Sequence, residues 1–477
     1  MTETSFGSHV APDPRHTGTS ASSFYIPMRD GVQLAVEVIL PGDLEPGARI
    51  PALLSQTRYW RAKELRAPFK WFLAPEVLEP DERDLKLFFT GQGYAVVLLD
   101  VRGTGASFGA WPHPWPDDSV SDAADVVDWI VSQPWSDGNV GGYGISYVGT
   151  TAELLAVPNH PAVKAVIPMF NHPDAFTDIA FPGGIFHQRF TKSWSDFDRN
   201  LDRNIVPGEF GFLGRLLLRG VKPVDGDRGR RLLRKAARGH RSNGHAFSLA
   251  RPLDYRDSRP DGVDLTVENV TVHRFKKEIE ESATVSFGWG SWLDAGTADA
   301  VIRRFLTFDN SGGGAIGAWE HCGRFNASPY RSPDAPPSPT LREQWSEMLR
   351  FFDAHLKGVD HPAKGGKTLF YYTLGEERWK ATPVWPPEGT RLERWYLAAD
   401  GELSPREPDA ETGSDTYTVD FEANTGESNR WWEMGAVVGE TVVYGDRSDA
   451  ARHLLTYTSP ALDRDLEITG YPVVTLY

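Results

Sequence analysis

A chain of 477 residues is longer than one hydrophobic core usually supports, so its length predicts two or three domains. Apolar residues make up 40% of the chain and charged residues 24%, which is ordinary for a globular protein. The formal net charge of −15 argues against nucleic acid or an anionic membrane as a partner. The single cysteine, Cys322, excludes an intrachain disulfide and a cysteine-based metal site.

The first 23 residues are polar and rich in Ser, Thr, Pro and His. They lack the charged start and apolar core of a secretory signal, and no run of about 18 apolar residues occurs in the chain. We therefore expect a disordered segment over residues 1–23, no membrane span and a cytoplasmic location.

Predicted strands and helices alternate in the part of the chain that follows. Apolar and polar residues alternate around Asp30-Gly31, which predicts a β-hairpin over residues 24–40. Further along, continuous apolar runs predict buried strands and helical spacing predicts helices. The strands are expected at residues 50–56, 94–100 and 163–168, and the helices at 85–91 and 120–131. This order predicts an α/β fold with a mostly parallel sheet.

The pattern changes twice in the second half. Residues 170–280 show no strong buried strand and predict an inserted, mainly helical cap. Core character then returns, with strands expected at residues 282–287 and 315–318 and helices at 299–306 and 336–358. After residue 360, short alternating runs between turn residues are typical of a sandwich or jelly-roll. These runs are residues 369–372, 394–397, 442–444, 454–457 and 472–477.

The stretch that points to chemistry is Gly144-Ile145-Ser146-Tyr147-Val148-Gly149. A short apolar strand precedes Ser146 and a helix-forming run follows it, which is the pattern of a nucleophile elbow. Glycines relieve crowding in such a tight turn. The motif departs from the common G-x-S-x-G form because its second glycine comes one position late.

A serine nucleophile needs a base, and the base needs an orienting acid. In α/β-hydrolases the chain order is Ser, acid, His, each on a loop after a core strand. Asp294 follows the predicted strand near residue 287, and His321 follows the last predicted core strand. Taken alone, each residue could have a purely structural role, Asp294 as a helix cap and His321 as a buried structural histidine. Glu320 is a rival acid, although a neighbour in sequence usually points away from His321.

Acyl transfer also needs donors aimed at the developing oxyanion. The backbone N–H of Tyr147 directly follows the nucleophile and is one candidate. The loop after residue 56 should supply the other, and there the hydroxyl of Tyr59 is a candidate. The residues alone leave open whether Tyr59 is a donor or only a packing aromatic beside Trp60.

The chain resembles the cocaine esterase, α-amino-acid ester hydrolase and Xaa-Pro dipeptidyl-peptidase family of serine hydrolases. The matching stretches run through nearly the whole chain in the family's order. They are residues 28–32, 57–59, 93–105, 135–141 and 144–149, Gly288-Trp289 with Asp294, and residues 319–321 and 351–358.

This resemblance implies an α/β-hydrolase core, a helical cap and a C-terminal jelly-roll. It implies Ser146 as nucleophile, His321 as base and Asp294 as acid, with the Tyr59 hydroxyl and the Tyr147 N–H as oxyanion hole. The implied domain division is a disordered 1–23, an α/β-hydrolase domain over 24–169 and 281–360, a cap over 170–280 and a partial jelly-roll over 361–477. Since 473–477 reads as an unfinished strand, the jelly-roll is expected to be truncated, and its open edge favours a homo-oligomer.

Two departures from the family bear on the substrate. The acid loop between Gly288-Trp289 and Asp294 carries extra residues. Asp294 is then followed by Ala295-Gly296-Thr297, whereas amino-ester hydrolases of the family have acidic residues there for the substrate's ammonium group. Neutral or aromatic acyl groups are therefore favoured, and the expected pocket walls are Trp289, Trp292, Phe170 and Phe181.

The sequence thus predicts a serine hydrolase that cleaves a small carboxylic ester or amide through an acyl-enzyme on Ser146. Neither a metal nor an organic cofactor is needed for this reaction, and neither nucleic acid nor a membrane is an expected partner. The alternatives are an Xaa-Pro dipeptidyl-peptidase or a β-lactam acylase. From another class, the alternative is a catalytically inactive binding protein with a hydrolase fold.

Overall fold

The computed structural model describes residues 5–260, 262–359, 366–409, 412–432 and 442–476. Its strands, in chain order, are β1 (Thr19–Pro27), β2 (Gln33–Pro41), β3 (Ile50–Thr57), β4 (Lys63–Leu65), β5 (Ala95–Asp100), β6 (Ser136–Ile145), β7 (Val163–Met169), β8 (Leu218–Val221), β9 (Val285–Ser291), β10 (Ser311–Gly317), β11 (Thr368–Thr373), β12 (Arg378–Thr382), β13 (Tyr396–Leu397) and β14 (Leu403–Ser404). Its α-helices are α1 (Pro80–Gly91), α2 (Asp117–Val131), α3 (Tyr147–Leu154), α4 (Gln188–Asp202), α5 (Gly211–Leu217), α6 (Arg231–Gly239), α7 (Ala246–Ala250), α8 (Lys276–Glu281), α9 (Thr297–Thr307), α10 (Leu341–Leu356) and α11 (Ser448–Ala451).

One ten-stranded sheet forms the centre of the fold, in the order β1-β2-β5-β3-β6-β7-β9-β10-β11-β12. The seven strands from β5 to β11 in this order are mutually parallel, and an antiparallel hairpin or strand closes each edge. This mixed α/β architecture is the predicted fold class. The predicted hairpin around Asp30-Gly31 is the β1–β2 pair.

Helices cover both faces of the sheet because its strands are apolar on both sides. In β3, Leu53 belongs to the apolar cluster that contains Phe89 of α1 and Phe352 of α10. The next residue, Leu54, belongs to the cluster on the other face, which contains Val126 of α2. Successive side chains of a strand point to opposite faces, so this alternation places β3 between two helical layers.

The expected disorder of residues 1–23 is wrong for the described residues 5–23. Phe6 is buried, with its ring 5.3 Å from that of Trp289 and 4.6 Å from that of Trp379. The backbone N–H of Gly7 donates to Glu347 Oε1 at 3.0 Å, and β1 already begins at Thr19. One large apolar side chain anchors this otherwise polar segment in the core, which composition alone did not reveal.

Residues 170–280 contain α4 to α7 and all but the last residue of α8, so the segment is mainly helical, and its assignment as an inserted cap stays a prediction. They also contain β8, which the sequence did not predict. This strand pairs with β4, from the loop after β3, and forms a small separate sheet. The pairing ties the expected cap to the loop that carries Tyr59.

The C-terminal prediction needs correction. The run at 369–372 is a strand, β11, but it pairs in parallel with β10 and extends the central sheet. The run at 394–397 contributes only the two residues of β13. Residues 442–444, 454–457 and 472–476 form no strand in the structure, and Tyr477 lies outside the described residues. Alternating apolar and polar residues allow a segment to form a β-strand. The strand forms only where a neighbouring strand can hydrogen-bond to its backbone N–H and C=O groups. The described residues in this part of the chain therefore do not form the strands of a jelly-roll.

Candidate active site

Ser146 occupies a sharp turn between β6 and α3. Its backbone angles, φ 62° and ψ −124°, lie in a region that non-glycine residues rarely adopt. A Cβ on Gly144 would lie 2.3 Å from Val148 Cγ1, and a Cβ on Gly149 would lie 2.5 Å from the carbonyl oxygen of Met169. Both positions therefore require glycine, and the turn has the geometry of a nucleophile elbow.

Asp294 and His321 are brought together at the same edge of the sheet. Asp294 lies between β9 and α9, and His321 lies in the loop after β10. Nδ1 of His321 is 3.0 Å from both carboxylate oxygens of Asp294, and both side chains are buried. Because β9 and β10 are adjacent and parallel, their carboxyl ends carry these two loops side by side.

Ser291, the last residue of β9, fixes the two loops relative to each other. Its hydroxyl donates to the carbonyl oxygen of Trp319 at 2.7 Å and accepts from the Trp319 N–H at 3.0 Å. The hydroxyl of Thr297 lies 2.8 Å from the carbonyl oxygen of Asp294 and 3.2 Å from its Oδ2, and it holds the turn that carries Asp294. These contacts pre-organise the Asp294–His321 pair.

Glu320, the rival acid, is hydrogen-bonded to the backbone of its own loop. Its carboxylate accepts from the backbone N–H of Cys322 at 2.8 Å and from that of Arg324 at 2.7 Å. Burial raises the pKa of this carboxyl above its ordinary value. Glu320 thus shapes the loop around His321, and Asp294 is the residue positioned to orient the imidazole.

The two tyrosines lie at the same edge as the serine. Tyr59 comes just after β3, which is a neighbour of β6, and its ring centroid lies 6.0 Å from that of Tyr147. The Tyr59 hydroxyl accepts a hydrogen bond from the indole N–H of Trp194 at 2.8 Å. Burial raises the pKa of Tyr59, so the hydroxyl keeps its proton and can donate it.

Tyr147 begins α3, so its backbone N–H belongs to the first turn, where helical N–H groups have no intrahelical acceptor. Its side chain points elsewhere. The ring stacks on Trp115 with centroids 5.0 Å apart, and the hydroxyl accepts from Trp111 Nε1 at 3.1 Å. Burial raises the pKa of Tyr147 to about 12. Its side chain therefore packs in the cavity wall, and its N–H has no acceptor within α3.

A cavity of about 120 Å³ opens at Ser146 and extends from the sheet edge toward α4 and α7. Its lining is mostly apolar, and no Asp, Glu, Lys or Arg is among the described residues that form it. They are Tyr59, His113, Pro114, Trp115, Ser146, Tyr147, Thr150, His172, Ala175, Ile179, Ala180, Phe181, Phe190, Thr191, Trp194, Ala246, Leu249, Ala250, Leu253, Pro260, Leu265, Thr266, Val267 and Val270.

Of the four expected walls, only Phe181 lines this cavity. The expectation is wrong for the other three. Trp289 and Phe170 belong to the core cluster around the sheet, where Trp289 packs against Phe6. Trp292 packs on Trp385 and donates its indole N–H to the carbonyl oxygen of Tyr372 at 2.8 Å. Strand-end position predicts which residues reach the edge of the sheet, but not which way their side chains turn.

The sequence reasoning missed His172 and Trp194. His172 follows β7, so the strand-end rule that found Asp294 could have found it. It lines the cavity, and its ring lies parallel to that of His321 with centroids 6.4 Å apart. Burial lowers the pKa of His172 to about 3, so the imidazole is neutral near pH 7. No simple signal marked Trp194, because it lies on the cap helix α4.

Within the described ranges, no cluster of three or more His, Cys, Asp or Glu side chains has the arrangement of a metal site. None of the helices in the described part of the chain is long and apolar enough to cross a bilayer.

Comparisons with known proteins show which family the chain resembles. Residues 30–205 match the family model of the X-Pro dipeptidyl-peptidase (S15 family), and residues 363–477 match that of the X-Pro dipeptidyl-peptidase C-terminal non-catalytic domain. The chain is 40% identical over 496 aligned positions to a candidate serine esterase of Mycobacterium tuberculosis, covering 98% of this chain and 78% of the relative. The chain belongs to the family of serine hydrolases that includes the X-Pro dipeptidyl-peptidases (S15 family) and cocaine esterase.

Two further comparisons give the range of similarity. The cocaine esterase of a Rhodococcus species is 25% identical over 475 aligned positions, which cover 94% of this chain and 76% of that enzyme. The crystal structure of a CocE/NonD family hydrolase from Staphylococcus aureus superimposes with a TM-score of 0.54 at 19% identity. That match covers 81% of this chain, and the chain spans 60% of the length of that solved structure. The structural likeness supports the fold of this serine hydrolase.

Proposed function

We propose that this chain is a serine esterase that hydrolyses carboxylic esters with a neutral, apolar acyl group through an acyl-enzyme on Ser146. The observation that carries the proposal is the position of Ser146. It lies in an elbow turn and opens into a cavity whose described lining has no Asp, Glu, Lys or Arg. The buried Asp294–His321 pair lies at the same sheet edge.

In the proposed reaction, Oγ of Ser146 attacks the ester carbonyl while Nε2 of His321 takes the hydroxyl proton. Asp294 accepts the hydrogen bond from Nδ1–H and stabilises the imidazolium. The oxyanion of the tetrahedral intermediate accepts hydrogen bonds from the Tyr147 N–H and the Tyr59 hydroxyl. The intermediate collapses, the leaving alcohol takes the proton from Nε2, and the acyl group remains on Ser146. Water then attacks the acyl carbonyl while Nε2 of His321 takes one of its protons. When the second tetrahedral intermediate collapses, His321 returns this proton to Oγ of Ser146 and the carboxylic acid leaves.

The cavity lining favours the neutral acyl group. An unpaired ammonium or carboxylate is costly to bury where no opposite charge can compensate it. A dipeptidyl-peptidase must hold the free amine of its substrate, and an acylase for charged side chains must hold a carboxylate. Amides of neutral acids remain within the proposal as slower substrates.

A substrate panel tests this preference. Under the proposal, p-nitrophenyl butyrate and hexanoate are hydrolysed with a higher kcat/KM than Xaa-Pro p-nitroanilides and glutaryl amides. A preference for the Xaa-Pro substrates would favour the dipeptidyl-peptidase, and a preference for the glutaryl amides would favour the acylase.

The Ser146→Ala variant tests the nucleophile. It should lower kcat by at least about a thousandfold, as removal of a triad member does. A fluorophosphonate probe should label the wild type at Ser146 and leave the variant unlabelled. If the folded wild type neither turns over esters nor reacts with the probe, the chain is an inactive binding protein with a hydrolase fold.

The proposal extends to location and partners. We infer a cytoplasmic location, which the single cysteine supports. Self-association through the C-terminal segment is proposed in addition, because several large apolar side chains there are exposed, including Val473 and Leu476. Cell fractionation and light scattering of the purified protein test these two statements.

A further inference from the structure

The Tyr59 hydroxyl meets the cap at helix α4. The indole N–H of Trp194, on that helix, donates to Tyr59 Oη at 2.8 Å. An indole nitrogen can only donate, so Trp194 accepts nothing in return. The single proton of the Tyr59 hydroxyl is therefore left for another acceptor, and the cavity at Ser146 lies beside it.

Helix α4 is attached to this loop by the residue next to Tyr59. Arg58 is fully buried and forms ion pairs with Asp198 and Asp202, each at 3.1 Å. Trp194, Asp198 and Asp202 follow one another at intervals of four, so they share one face of the helix. Arg58 thus holds the face that presents Trp194 to Tyr59.

Aromatic packing reinforces the same arrangement. The guanidinium of Arg58 lies 3.9 Å from the ring centroid of Trp111 and 5.6 Å from that of Trp194. Asp202 also accepts from the side-chain amide of Asn243 at 2.9 Å, which connects the ion pairs to the segment before α7. The orientation of Trp194 is therefore fixed by a buried network and does not depend on substrate.

The accepted hydrogen bond also changes the donor strength of the phenol. A hydroxyl that accepts a hydrogen bond becomes a better donor, because the two bonds polarise each other. The contact with Trp194 lowers the pKa of Tyr59, opposing the increase caused by burial. Donor strength matters most when negative charge develops on the acceptor.

We propose that Trp194 is a positioning residue for the oxyanion hole, which directs and strengthens the hydrogen bond that the Tyr59 hydroxyl donates to the transition state. The inference rests on the proposed function, since it needs an acyl transfer at Ser146. It assigns the cap a share in transition-state stabilisation, in addition to its role as a wall of the cavity.

A double-mutant cycle with p-nitrophenyl butyrate tests this. Tyr59→Phe should lower kcat by roughly one hundred to one thousandfold. Trp194→Phe keeps an aromatic ring beside Arg58 but removes the donor, and it should lower kcat by about tenfold with little change in KM. In the Tyr59→Phe background the same Trp194→Phe change should have almost no further effect, because the hydroxyl it acts on is gone.

Trp115→Phe is the matched control. Trp115 lines the same cavity, but its ring stacks on Tyr147, whereas the donor to the Tyr59 hydroxyl is Trp194. Its effect on kcat/KM should be the same factor in both backgrounds. Circular dichroism and thermal unfolding of every variant establish that the fold is intact.

The outcomes separate the two proposals. If Trp194→Phe lowers kcat by the same factor with and without the Tyr59 hydroxyl, or leaves kcat unchanged, Trp194 is only a cavity wall and this inference is rejected. If wild-type hydrolysis does not depend on Ser146, the proposed function is rejected and the inference with it. Ser146-dependent hydrolysis with strong coupling between Trp194 and Tyr59 supports both.

Discussion

Nδ1 of His321 lies 3.0 Å from each carboxylate oxygen of Asp294, so the imidazole proton is shared between the two oxygens of one buried carboxylate. This contact selects the tautomer in which Nε2 carries no proton and can act as a base. The pair is held by neighbouring parallel strands, and neither side chain needs to move to form it.

The Asp294→Asn variant should lower kcat by about ten-thousandfold with little loss of stability. The amide can donate to Nδ1, which favours the tautomer with a proton on Nε2, and that nitrogen can then not accept the proton of Ser146. Steady-state kinetics with p-nitrophenyl butyrate measure the effect.

Glu320→Gln is the control for this assignment. Glu320 accepts two backbone N–H groups, so the change should cost about 1–3 kcal/mol of stability without lowering kcat by orders of magnitude. A loss of kcat that matches Asp294→Asn would mean that Glu320 is the acid.

The elbow turn gives a second prediction. Because a Cβ at position 144 would meet both the side chain and the backbone of Val148, Gly144→Ala should lower the free energy of unfolding by about 1–3 kcal/mol. It should also slow labelling of Ser146 by a fluorophosphonate probe, since the turn that exposes the serine must shift. Gly226→Ala, where a Cβ would meet nothing within 4 Å, should change neither quantity. Equal labelling rates for wild type and Gly144→Ala would contradict the steric account.

The positions of Ser146, Asp294 and His321 could be predicted because each follows a strand that is buried on both faces. Such strands appear in the sequence as continuous apolar runs, and the carboxyl ends of parallel strands meet at one edge. The same reasoning applies to His172 after β7, which the sequence analysis overlooked.

The cavity walls could not be predicted in this way. Most of them come from the cap, in particular residues 246–270, where no regular period separates buried from exposed positions. Trp289 lies on a core strand, and its side chain turns into the cluster under the sheet rather than into the cavity. The anchoring of the N-terminal segment by Phe6 and the pairing of β11 with β10 likewise depend on contacts between residues far apart in the chain.

Leu253 offers a test of the acyl preference. It is buried, lines the cavity and packs in one cluster with Phe181 and Val267. Leu253→Trp should fill this part of the cavity, so kcat/KM for p-nitrophenyl octanoate should fall by at least about tenfold while that for the acetate changes little.

Leu392→Trp, at an exposed position, is the control and should leave kcat/KM unaltered for both the acetate and the octanoate. If Leu253→Trp lowers turnover of acetate and octanoate by the same factor, residues 246–270 do not hold the acyl chain. The chain-length profile therefore decides which part of the cavity the acyl group occupies.

His172 should make the fold sensitive to acid. Burial lowers its pKa from 6.5 to about 3, so between these values the unfolded chain binds a proton there and the folded chain does not. The free energy of unfolding consequently falls as the pH decreases below about 6.5, by roughly 2 kcal/mol at pH 5 from this one group.

Urea unfolding at pH 7.5 and pH 5.0 should show that His172→Gln loses less stability on acidification than the wild type does. His453→Gln, at a side chain that is 62% exposed, is the control and should lose as much stability between pH 7.5 and pH 5.0 as the wild type does. An identical loss for His172→Gln and the wild type would mean that His172 is protonated to the same extent in both states, and the buried, neutral imidazole beside His321 would have to be abandoned.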